Sequence, residues 1–491
     1  MKKALIGIIC SALIILIAYG AEQIRDTGEK RYVQHEEDQV YTPCKNDEKG
    51  ALCTNLPIVE IDTDGEKIPG RRFINEKTGR SKIELGPNGE DEITASIRVI
   101  DNDEGNNHSD DRPELKSRIR IRVRGNSSRF FDKSNYMINL IEKDGSNRNE
   151  KVMGMDKHHE WVLHGPYLDK TLMRNYMWYN IGGEIMDYAP NVRFCEVIIN
   201  GKYKGVYVMT ESVTAGKNGA RINASVDRKD QTYSGYILRL DRGSDTEIKN
   251  IRTFTDYTYK STAKKNIVYP GTSNLTPEIA ESIAQDFSSF EKMLYSYDYD
   301  DNTSGFKQYI DMESFIDYFI INEFSQNSDA GWLSTYIYKD RDGLYRMCIW
   351  DFNSACDAYV DPTDIRGFKM KDRLWFKMMM RDEVFVNQLI DRYKELRKGI
   401  LSEEYLYSFI DDTRAYLGDA VERNYKVWGY SFGKKYDLLT PTERNPRSYD
   451  EAIEIMKKHI HDRGEWMDRN IDSLRQYSAH SKVKFYQEDA N

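Results

Sequence analysis

The sequence predicts an α+β protein, with β-strands concentrated in its first half and helices in its last third. Three observations support this class. Charged and apolar residues alternate over residues 116–124, the period of a half-buried strand. The pair Asn200-Gly201 separates two apolar runs, which is the strongest short hairpin signal. Apolar residues recur at helical spacing over residues 314–324 and again over residues 375–474.

The composition is that of a folded protein. The chain has 491 residues, of which 39% are hydrophobic and 31% are charged, so it has enough apolar residues for a core. Its 71 Lys and Arg residues against 80 Asp and Glu residues give a net charge of −9. A general nucleic-acid binder needs an excess of cations to displace phosphate counterions, so we expect no nucleic-acid partner.

The first 21 residues predict export. Lys2 and Lys3 precede an apolar run at 4–19, and Ala18-Tyr19-Gly20 provides a small-x-small cleavage site. The run is close to the shortest length that spans a bilayer, so the segment is either a cleaved signal peptide or a retained membrane anchor. Both alternatives predict an extracytoplasmic protein, secreted or anchored, whose membrane contact is made only through this segment.

A polar stretch at residues 22–55 predicts a tether between this leader and the folded part of the chain. Cys44 and Cys53 lie in a loop that also contains proline, asparagine and glycine. In an oxidising compartment they are close enough in sequence to form a disulfide. The cysteines expected to remain packed, free thiols are Cys195, Cys348 and Cys356.

The first half of the chain contains a series of predicted strands and one helix. Residues at 168–186 recur at helical spacing, and Asp169 near their start is a candidate N-cap. The predicted strands lie at 56–61, 95–100, 116–124, 136–140, 192–199, 203–211 and 235–241.

A polar loop follows the cationic strand and carries candidate anion-binding groups. Arg124 ends the strand, the loop Gly125-Asn126-Ser127-Ser128 follows, and Lys133 precedes the next strand. Free backbone N–H groups in such a loop can cradle an anion, although the same pattern also fits an ordinary hairpin connection. The sequence contains no Walker A motif, dinucleotide-binding glycine motif, zinc-protease motif or nucleophile elbow.

Two aspartates flank a predicted hairpin in the last third of the chain. The helix at 314–324 runs into a polar loop that contains Asp329. Predicted strands at 334–338 and 345–350 follow, and Asp351 comes directly after the second strand. An aspartate at such a strand end suits a hard cation such as Mg²⁺, but an Asx turn at each position is equally well supported. A carboxylate pair in a glycosidase is a third alternative.

Five motifs in this order resemble those of the spore coat protein H (CotH) kinase family. The resemblance covers roughly residues 56–474 and implies a two-lobed, atypical protein-kinase-like fold with a β-rich N-lobe and a helical C-lobe. The motifs are Arg124-Gly-Asn-Ser-Ser128 with Lys133, Asn200-Gly-Lys-Tyr-x-Gly-Val-Tyr-x-x-x-Glu211, Gly235-Tyr-x-x-x-x-Asp241, Asn327-x-Asp329 and Trp350-Asp-Phe352.

The resemblance implies a role for each motif in transferring phosphate from ATP with Mg²⁺ or Mn²⁺. The loop from Gly125 to Ser128 would cover the phosphates, and Arg124 or Lys133 would neutralise their charge. These residues and Glu211 would therefore contact the nucleotide, although Glu211 would equally serve as an ion-pair partner for the cation.

The catalytic and metal-binding roles would fall in the last third of the chain. Asp329 would accept the proton of the substrate hydroxyl, with Asn327 alongside. Asp351 would bind the metal, together with Asn353. We therefore expect a kinase that phosphorylates Ser or Thr hydroxyls of surface or spore-coat proteins.

Three departures from the family pattern favour a second reading. Asn353 replaces an acid, Arg239 replaces another, and Lys133 stands alone where two lysines are common. The alternative is a catalytically weak or inactive kinase-like protein that binds partners in surface or coat assembly. The predicted segments are a leader at 1–21, a tether at 22–55, a small β-rich segment at 56–112, the N-lobe at 113–245, an irregular connection at 246–304, the C-lobe with catalytic loops at 305–476 and a polar tail at 477–491.

Overall fold

A computed structural model describes most of the chain beyond the tether. The described residues are 31, 33–36, 51–102, 105–216, 221–226, 234–244, 246–258, 263–357, 364–434 and 445–478. The chain divides into two units, residues 1–34 and residues 35–491. All elements named below belong to the second unit.

The strands of the described residues are numbered in chain order. They are β1 (Cys53–Thr54), β2 (Ile58–Asp62), β3 (Arg72–Ile74), β4 (Ser81–Ile83), β5 (Ile93–Ile100), β6 (Asn107–His108), β7 (Leu115–Arg124), β8 (Asn135–Ile141), β9 (Glu150–Val152), β10 (Met155–His158), β11 (Glu160–His164), β12 (Val192–Ile199), β13 (Lys202–Glu211), β14 (Tyr236–Asp241), β15 (Asn250–Ile251), β16 (Lys264–Tyr269), β17 (Thr335–Lys339) and β18 (Arg346–Cys348).

The α-helices are concentrated after residue 250. They are α1 (Arg174–Ile185), α2 (Phe254–Thr258), α3 (Pro277–Leu294), α4 (Met312–Phe324), α5 (Phe376–Met379), α6 (Glu383–Leu396), α7 (Glu403–Leu417), α8 (Asp419–Trp428) and α9 (Tyr449–Asn470). Most long helices begin at a side chain that accepts a hydrogen bond from the first turn, as expected for an N-cap. These caps are Thr276, Asp311, Asp382, Ser402 and Ser448.

Seven strands form a closed barrel in the order β11-β13-β12-β2-β5-β7-β8. Strand β7 shows why the alternating sequence forms it. Ile119, Ile121 and Val123 are buried in the core, while the cations between them point to the other face. Asn200 and Gly201 both have positive φ angles and join β12 to β13, as a two-residue hairpin turn requires.

A second sheet of five strands has the order β15-β16-β14-β17-β18. Helix α4 packs beside β18, and helix α3 lies beside β15. The mixture of sheets and helices confirms the predicted α+β class. Strands β14, β17 and β18 belong to this one sheet, so the residues at their ends and in the loop before β17 are attached to the same sheet.

The predicted segment boundaries do not match the sheets. Strands β2 and β5, from the predicted small segment at 56–112, pair with β12 and β7 and are part of the barrel. The predicted irregular connection at 246–304 contains β16 and helix α3. That helix has a recognisable sequence signal, because Thr276 caps it, Pro277 occupies its first position and apolar residues recur on one face.

The predicted helix at 168–186 begins later than expected, at Arg174. Asp169 does not occupy the N-cap position, which belongs to Met173. The Asp169 carboxylate instead accepts hydrogen bonds from the backbone N–H groups of Thr171 and Arg174, at 3.1 and 3.0 Å. It also pairs with the buried guanidinium of Arg174, so this aspartate stabilises the loop that precedes the helix.

Several predictions concern residues outside the described ranges. The leader at 1–21, most of the tether, the polar tail from 479 onward and Cys44 are among them. Cys195, Cys348 and Cys356 are free buried thiols, as expected, whereas the pairing of Cys53 with Cys44 stays a prediction. In the described part of the chain, no helix is both long and apolar enough to cross a membrane.

Candidate functional site

A cavity of about 670 Å³ lies between the outer face of barrel strands β7, β8, β11 and β13 and the five-stranded sheet. Three groups of sequence-predicted residues line it together: the loop from Gly125 to Ser128, the Asp329 loop and the Trp350-Asp351 strand end. The polar and charged residues in its wall are Arg72, Arg122, Arg124, Asn126, Ser127, Ser128, Arg129, Asn135, His164, Asn175, Tyr179, Thr210, Arg239, Asp241, Arg242, Ser244, Lys264, Asp329, Ser334, Tyr336, Asp351 and Asn353.

The loop after β7 closes tightly over one side of the cavity. Gly125 has φ +108°, and a Cβ there would lie 2.0 Å from the Ser128 hydroxyl oxygen, so only glycine fits. A short 3-10 turn, Ser127–Phe130, follows, and no side chain caps its start. The Asn126 side-chain oxygen accepts a hydrogen bond from the guanidinium of Arg72, which holds the loop against β3.

Arg124 connects this loop to the motif at the end of β18. Its guanidinium carbon lies 5.6 Å from the ring centre of Trp350, close enough for a cation–π interaction. The positive charge also opposes the rise in the pKa of Asp351, the next residue after that tryptophan, which burial and Asp329 cause. Among the cations proposed from sequence for phosphate binding, Arg124 is the one that lines the cavity.

The Asp351 backbone is fixed in an unusual conformation. Its φ angle is +62°, in the left-handed region that non-glycine residues rarely adopt. Helix α1 holds it there: the Asp351 N–H donates to the Tyr179 hydroxyl at 3.0 Å, and the Phe352 N–H donates to the Asn175 side chain at 2.7 Å. A strained residue in a cavity wall, held in place by a neighbouring helix, is typical of a functional position.

The Asp351 carboxylate is held by two side chains. Ser334 donates its hydroxyl at 3.3 Å, and the Asn353 amide donates to the other oxygen. Asn353 in turn accepts a hydrogen bond from the Asn175 amide at 3.1 Å. No hydrogen bond of an Asx turn, to either Asp329 or Asp351, is present in the described residues, so the turn alternative does not explain these aspartates.

The negative charge of Asp329 acts on Asp351. Burial and the negative charge of Asp329 raise the pKa of Asp351 to about 6, against an opposing effect of Arg124. Burial also raises the pKa of Asp329, while Arg242 opposes the rise. Two carboxylates that repel each other in a cavity favour a proton or a cation between them.

Asn327 lies behind the cavity wall and does not line it. Its buried amide donates to the Asn322 side chain at 3.1 Å and to the Trp350 carbonyl at 3.3 Å. The Asn327 oxygen accepts no hydrogen bond in the described residues. The geometry therefore gives Asn327 a positioning role, connecting the Asp329 loop to the strand end that carries Asp351.

Lys133 is placed differently from its expected position on the phosphates. It is 1% exposed, and its ammonium donates to the Val206 carbonyl at 2.6 Å and to the Asn424 side chain at 2.8 Å. It also lies 5.0 Å from the centre of the Tyr207 ring. Burial and the nearby Lys170 charge lower its pKa well below the ordinary value. Lys133 therefore connects the barrel to helix α8 and does not reach the cavity.

Glu211 also lies outside the cavity wall, fully buried at the end of β13. One carboxylate oxygen accepts the backbone N–H of Asn191 at 3.0 Å. The other lies 3.9 Å from the guanidinium of Arg221. Of the two roles expected for Glu211, the structure supports neither a nucleotide contact nor a pairing with Arg124 or Lys133, because its ionic partner is Arg221.

The cavity is more cationic than sequence reasoning predicted. Asp241 lies between two arginines, 3.5 Å from Arg239 and 3.7 Å from Arg242. Burial lowers the pKa of His164 to about 3, so this side chain adds no charge at neutral pH. The lining cations are Arg72, Arg122, Arg124, Arg129, Arg239, Arg242 and Lys264, against the carboxylates Asp241, Asp329 and Asp351.

Some of the cavity cations that were not predicted have a recognisable sequence signal, and others have none. Arg122 belongs to the alternating strand and is recognisable once Arg124 is placed in the site. Arg72, Arg242 and Lys264 belong to none of the sequence motifs, and only the tertiary structure brings them to the cavity. Their common feature is a positive charge, which suits a phosphate-bearing ligand.

A divalent cation fits part of this residue set. Mg²⁺ prefers one or two protein carboxylates together with phosphate oxygens, and Asp351 with Asp329 provides such a pair. Asn353 is engaged on both sides of its amide, by Asp351 and Asn175. No cluster of three or more His, Cys, Asp or Glu side chains that would hold a metal alone exists in the described residues.

Comparison with known families gives one clear match. A family model described as CotH kinase protein matches residues 121–467, more than two thirds of the chain. The match includes the glycine-serine loop, Asp329 and Asp351. No curated protein matches this chain.

Proposed function

Because this chain belongs to the CotH kinase protein family, we propose that it is an ATP-dependent protein kinase. The phosphoryl acceptors would be Ser or Thr hydroxyls of surface or spore-coat proteins. The observation that carries the proposal is that Asp329, Asp351 and the Gly125 loop line one cationic cavity of about 670 Å³. Phosphoryl transfer depends mainly on positioning and charge neutralisation, which this cavity provides.

Each part of the cavity has a defined task in the proposed transfer. The hydroxyl oxygen of the acceptor attacks the γ-phosphorus of ATP. The bond between the γ-phosphorus and the β,γ-bridging oxygen breaks, ADP leaves, and the hydroxyl proton passes to Asp329. Burial raises the pKa of Asp329, which makes it a stronger base than an ordinary aspartate. Arg124 and the other lining arginines bind the phosphate oxygens. A Mg²⁺ or Mn²⁺ ion held by Asp351 would neutralise charge on the transferred group.

Asn353 and Arg239 support a second candidate function, a weak or inactive kinase-like binding protein. Asn353 brings no charge, and both ends of its amide are already hydrogen-bonded. Arg239 places a cation beside Asp241 in the cavity wall. Both features reduce the negative charge that would hold metal ions. A protein of this second kind would bind a nucleotide or a partner without transferring phosphate.

A transfer assay separates the two candidates. The full chain is incubated with γ-labelled ATP, Mg²⁺ or Mn²⁺ and a surface-protein extract, and incorporation of label is measured. We expect Asp351→Asn and Asp329→Asn each to lower the rate by about 100-fold or more, as for loss of a charged catalytic group. Asp110→Asn, at an exposed loop acid outside the cavity wall, is the matched control.

The outcome decides between a kinase and a binding protein. Label incorporation at wild-type rate in Asp351→Asn would refute the catalytic assignment. Absence of incorporation by the wild-type chain, together with an ATP-induced rise in melting temperature, would support the binding protein. We also propose that the chain acts outside the cytoplasm, secreted or anchored through residues 1–21. Detection of the intact chain in a cell-surface fraction tests this location.

A further inference from the structure

The hairpin formed by β3 and β4 is exposed to an unusual degree. The two strands pair only with each other among the described residues, and neither packs on the barrel core. An isolated two-stranded hairpin is only marginally stable in water. Its large apolar side chains are nevertheless exposed, namely Phe73 at 45%, Ile74 at 54%, Ile83 at 41% and Leu85, just after β4, at 49%.

The base of this hairpin is fixed next to the cavity. The Val123 N–H donates to the Pro69 carbonyl at 2.7 Å, and the Gly70 N–H donates to the Glu84 carbonyl at 2.7 Å. A side chain at Gly70 would collide with the Val123 carbonyl, 2.5 Å from the Cβ position. The hairpin is therefore held at the end of β7, directly beside the residue that precedes the glycine-serine loop.

One face of the hairpin is continuous with the cavity wall. Arg72 pairs with Ile83 across the two strands, and both residues line the cavity. Because side chains alternate along a strand, Ile74 lies on the same face as Arg72. Phe73 and its cross-strand partner Lys82 lie on the opposite face. An apolar strip of Ile83 and Ile74 thus extends outward from the cavity.

The hairpin is also basic. Between residues 71 and 85 there are five Lys or Arg residues and two Glu residues. Lys77, Arg80 and Lys82 are exposed and form no ion pair within the described part of the chain, whereas Glu84 is paired with Lys67. A partner on this surface is therefore favoured if it carries negative charge.

We propose that the β3–β4 hairpin binds an extended, acidic and apolar segment of the protein that is phosphorylated. This inference rests on the proposed kinase function and adds the chemistry of its substrate. The outer edges of β3 and β4 are unpaired in the described residues, so an extended segment can add to them as a further strand. Apolar side chains of that segment cover Ile74 and Ile83, and its acids meet Lys77 and Arg80. The segment then leads the acceptor hydroxyl past Arg72 into the cavity.

A binding experiment without ATP tests the surface directly. The probe is a fluorescein-labelled peptide of alternating glutamate and valine around one serine, and a lysine-for-glutamate peptide is its counterpart. We expect the full chain to bind the acidic peptide at least tenfold more tightly than the lysine peptide, measured by fluorescence anisotropy. Ile74→Ser should weaken binding about tenfold, which equals about 1.4 kcal/mol.

Phe73→Ser is the matched control, because it removes an exposed apolar side chain from the opposite face of the same strand. We expect it to change the affinity less than twofold. A Lys77→Glu, Arg80→Glu double variant provides a second test that keeps the apolar strip. It should reverse the preference so that the lysine peptide binds more tightly. All variants should melt within a few degrees of the wild type, because the substituted side chains are exposed.

Several results would overturn the inference. One is an equal loss of affinity in Phe73→Ser and Ile74→Ser, and another is equal binding of the two peptides. Binding to phosphatidylglycerol vesicles that depends on Ile74 would assign the hairpin to a membrane. A dimer in sedimentation that dissociates in Ile74→Ser would assign it to a second copy of the chain.

Failure of the kinase function has a different signature. Peptide binding that depends on Ile74, without any label transfer to the serine, would support the docking surface and reject the kinase. Transfer to the acidic peptide with an unchanged KM in Ile74→Ser would keep the kinase and reject the docking surface. When both hold, Ile74→Ser raises the KM for the acidic peptide about tenfold and leaves kcat unchanged.

Discussion

Replacing Asp351 by asparagine should stabilise the fold while it strongly lowers the proposed activity. The pKa of Asp351 is raised from 3.8 to about 6 by burial and by Asp329. Because the pKa of Asp351 is higher in the folded state, the protonated carboxyl does not destabilise the fold below its unfolded-state pKa of 3.8. The fold loses stability as the pH rises and the carboxyl ionises, until the pH has passed through about 6. Asparagine carries no charge, and it tolerates the positive φ angle of this position better than most residues.

The size of this effect follows from the difference between the two pKa values. A shift of about 2 units corresponds to roughly 3 kcal/mol at full ionisation, because each unit contributes about 1.36 kcal/mol. The cost in the wild type is about 1.5 kcal/mol at pH 5 and about 3 kcal/mol at pH 8, and it approaches zero below pH 3.8. These are upper values, since the cavity is open to water, which screens the charge.

Thermal or denaturant unfolding of both proteins between pH 5 and pH 8 measures the effect. We expect the stability of Asp351→Asn to exceed that of the wild type, with a gap that widens by up to about 1.5 kcal/mol over this range. Asp110→Asn, at an exposed loop position, should show no such gap. A gap that stays constant with pH, or a wild type that is the more stable protein at pH 8, would refute the electrostatic reasoning.

Three further substitutions test other contacts of the site. Lys133→Met should lower stability by about 1–3 kcal/mol, because Asn424 and the barrel lose a buried donor, yet ATP affinity in a titration should change less than twofold. Arg124→Gln should weaken ATP binding about tenfold and raise the pKa of Asp351 further, seen as an upward shift in the pH dependence of unfolding. Asn353→Asp should strengthen Mn²⁺ binding in calorimetry by about tenfold, because it adds a carboxylate beside Asp351; unchanged Mn²⁺ binding would contradict a metal at this position.

The local elements of this protein were largely predictable because their patterns are periodic. The alternation in β7, the Asn200-Gly201 turn and the spacing in α4 each appear in the structure near their predicted bounds. The family assignment was also predictable, since motifs from five separate regions occur in the family's order, and the family model match confirms it. The roles of the site residues stay predictions, although the structure brings Arg124, Asp329 and Asp351 together.

Errors arose where a residue's partner lies far away in sequence. Lys133 lies five residues after the glycine-serine loop, yet Asn424, almost 300 positions later, accepts a hydrogen bond from its ammonium. Glu211 ends a strand near the expected cleft, yet Arg221 takes its charge. The same limit explains why the predicted boundary at residue 112 failed, because β5 and β7 pair across it.

The sequence by itself determined the α+β class, the strand and helix periods and the family. These depend on local spacing, which a linear chain displays directly. Only the tertiary structure decided which charges meet: three acids among seven cations in one cavity, with Lys133 and Glu211 outside it. The physical reason is that strand pairing in the barrel and in the five-stranded sheet brings together side chains that lie far apart in the sequence.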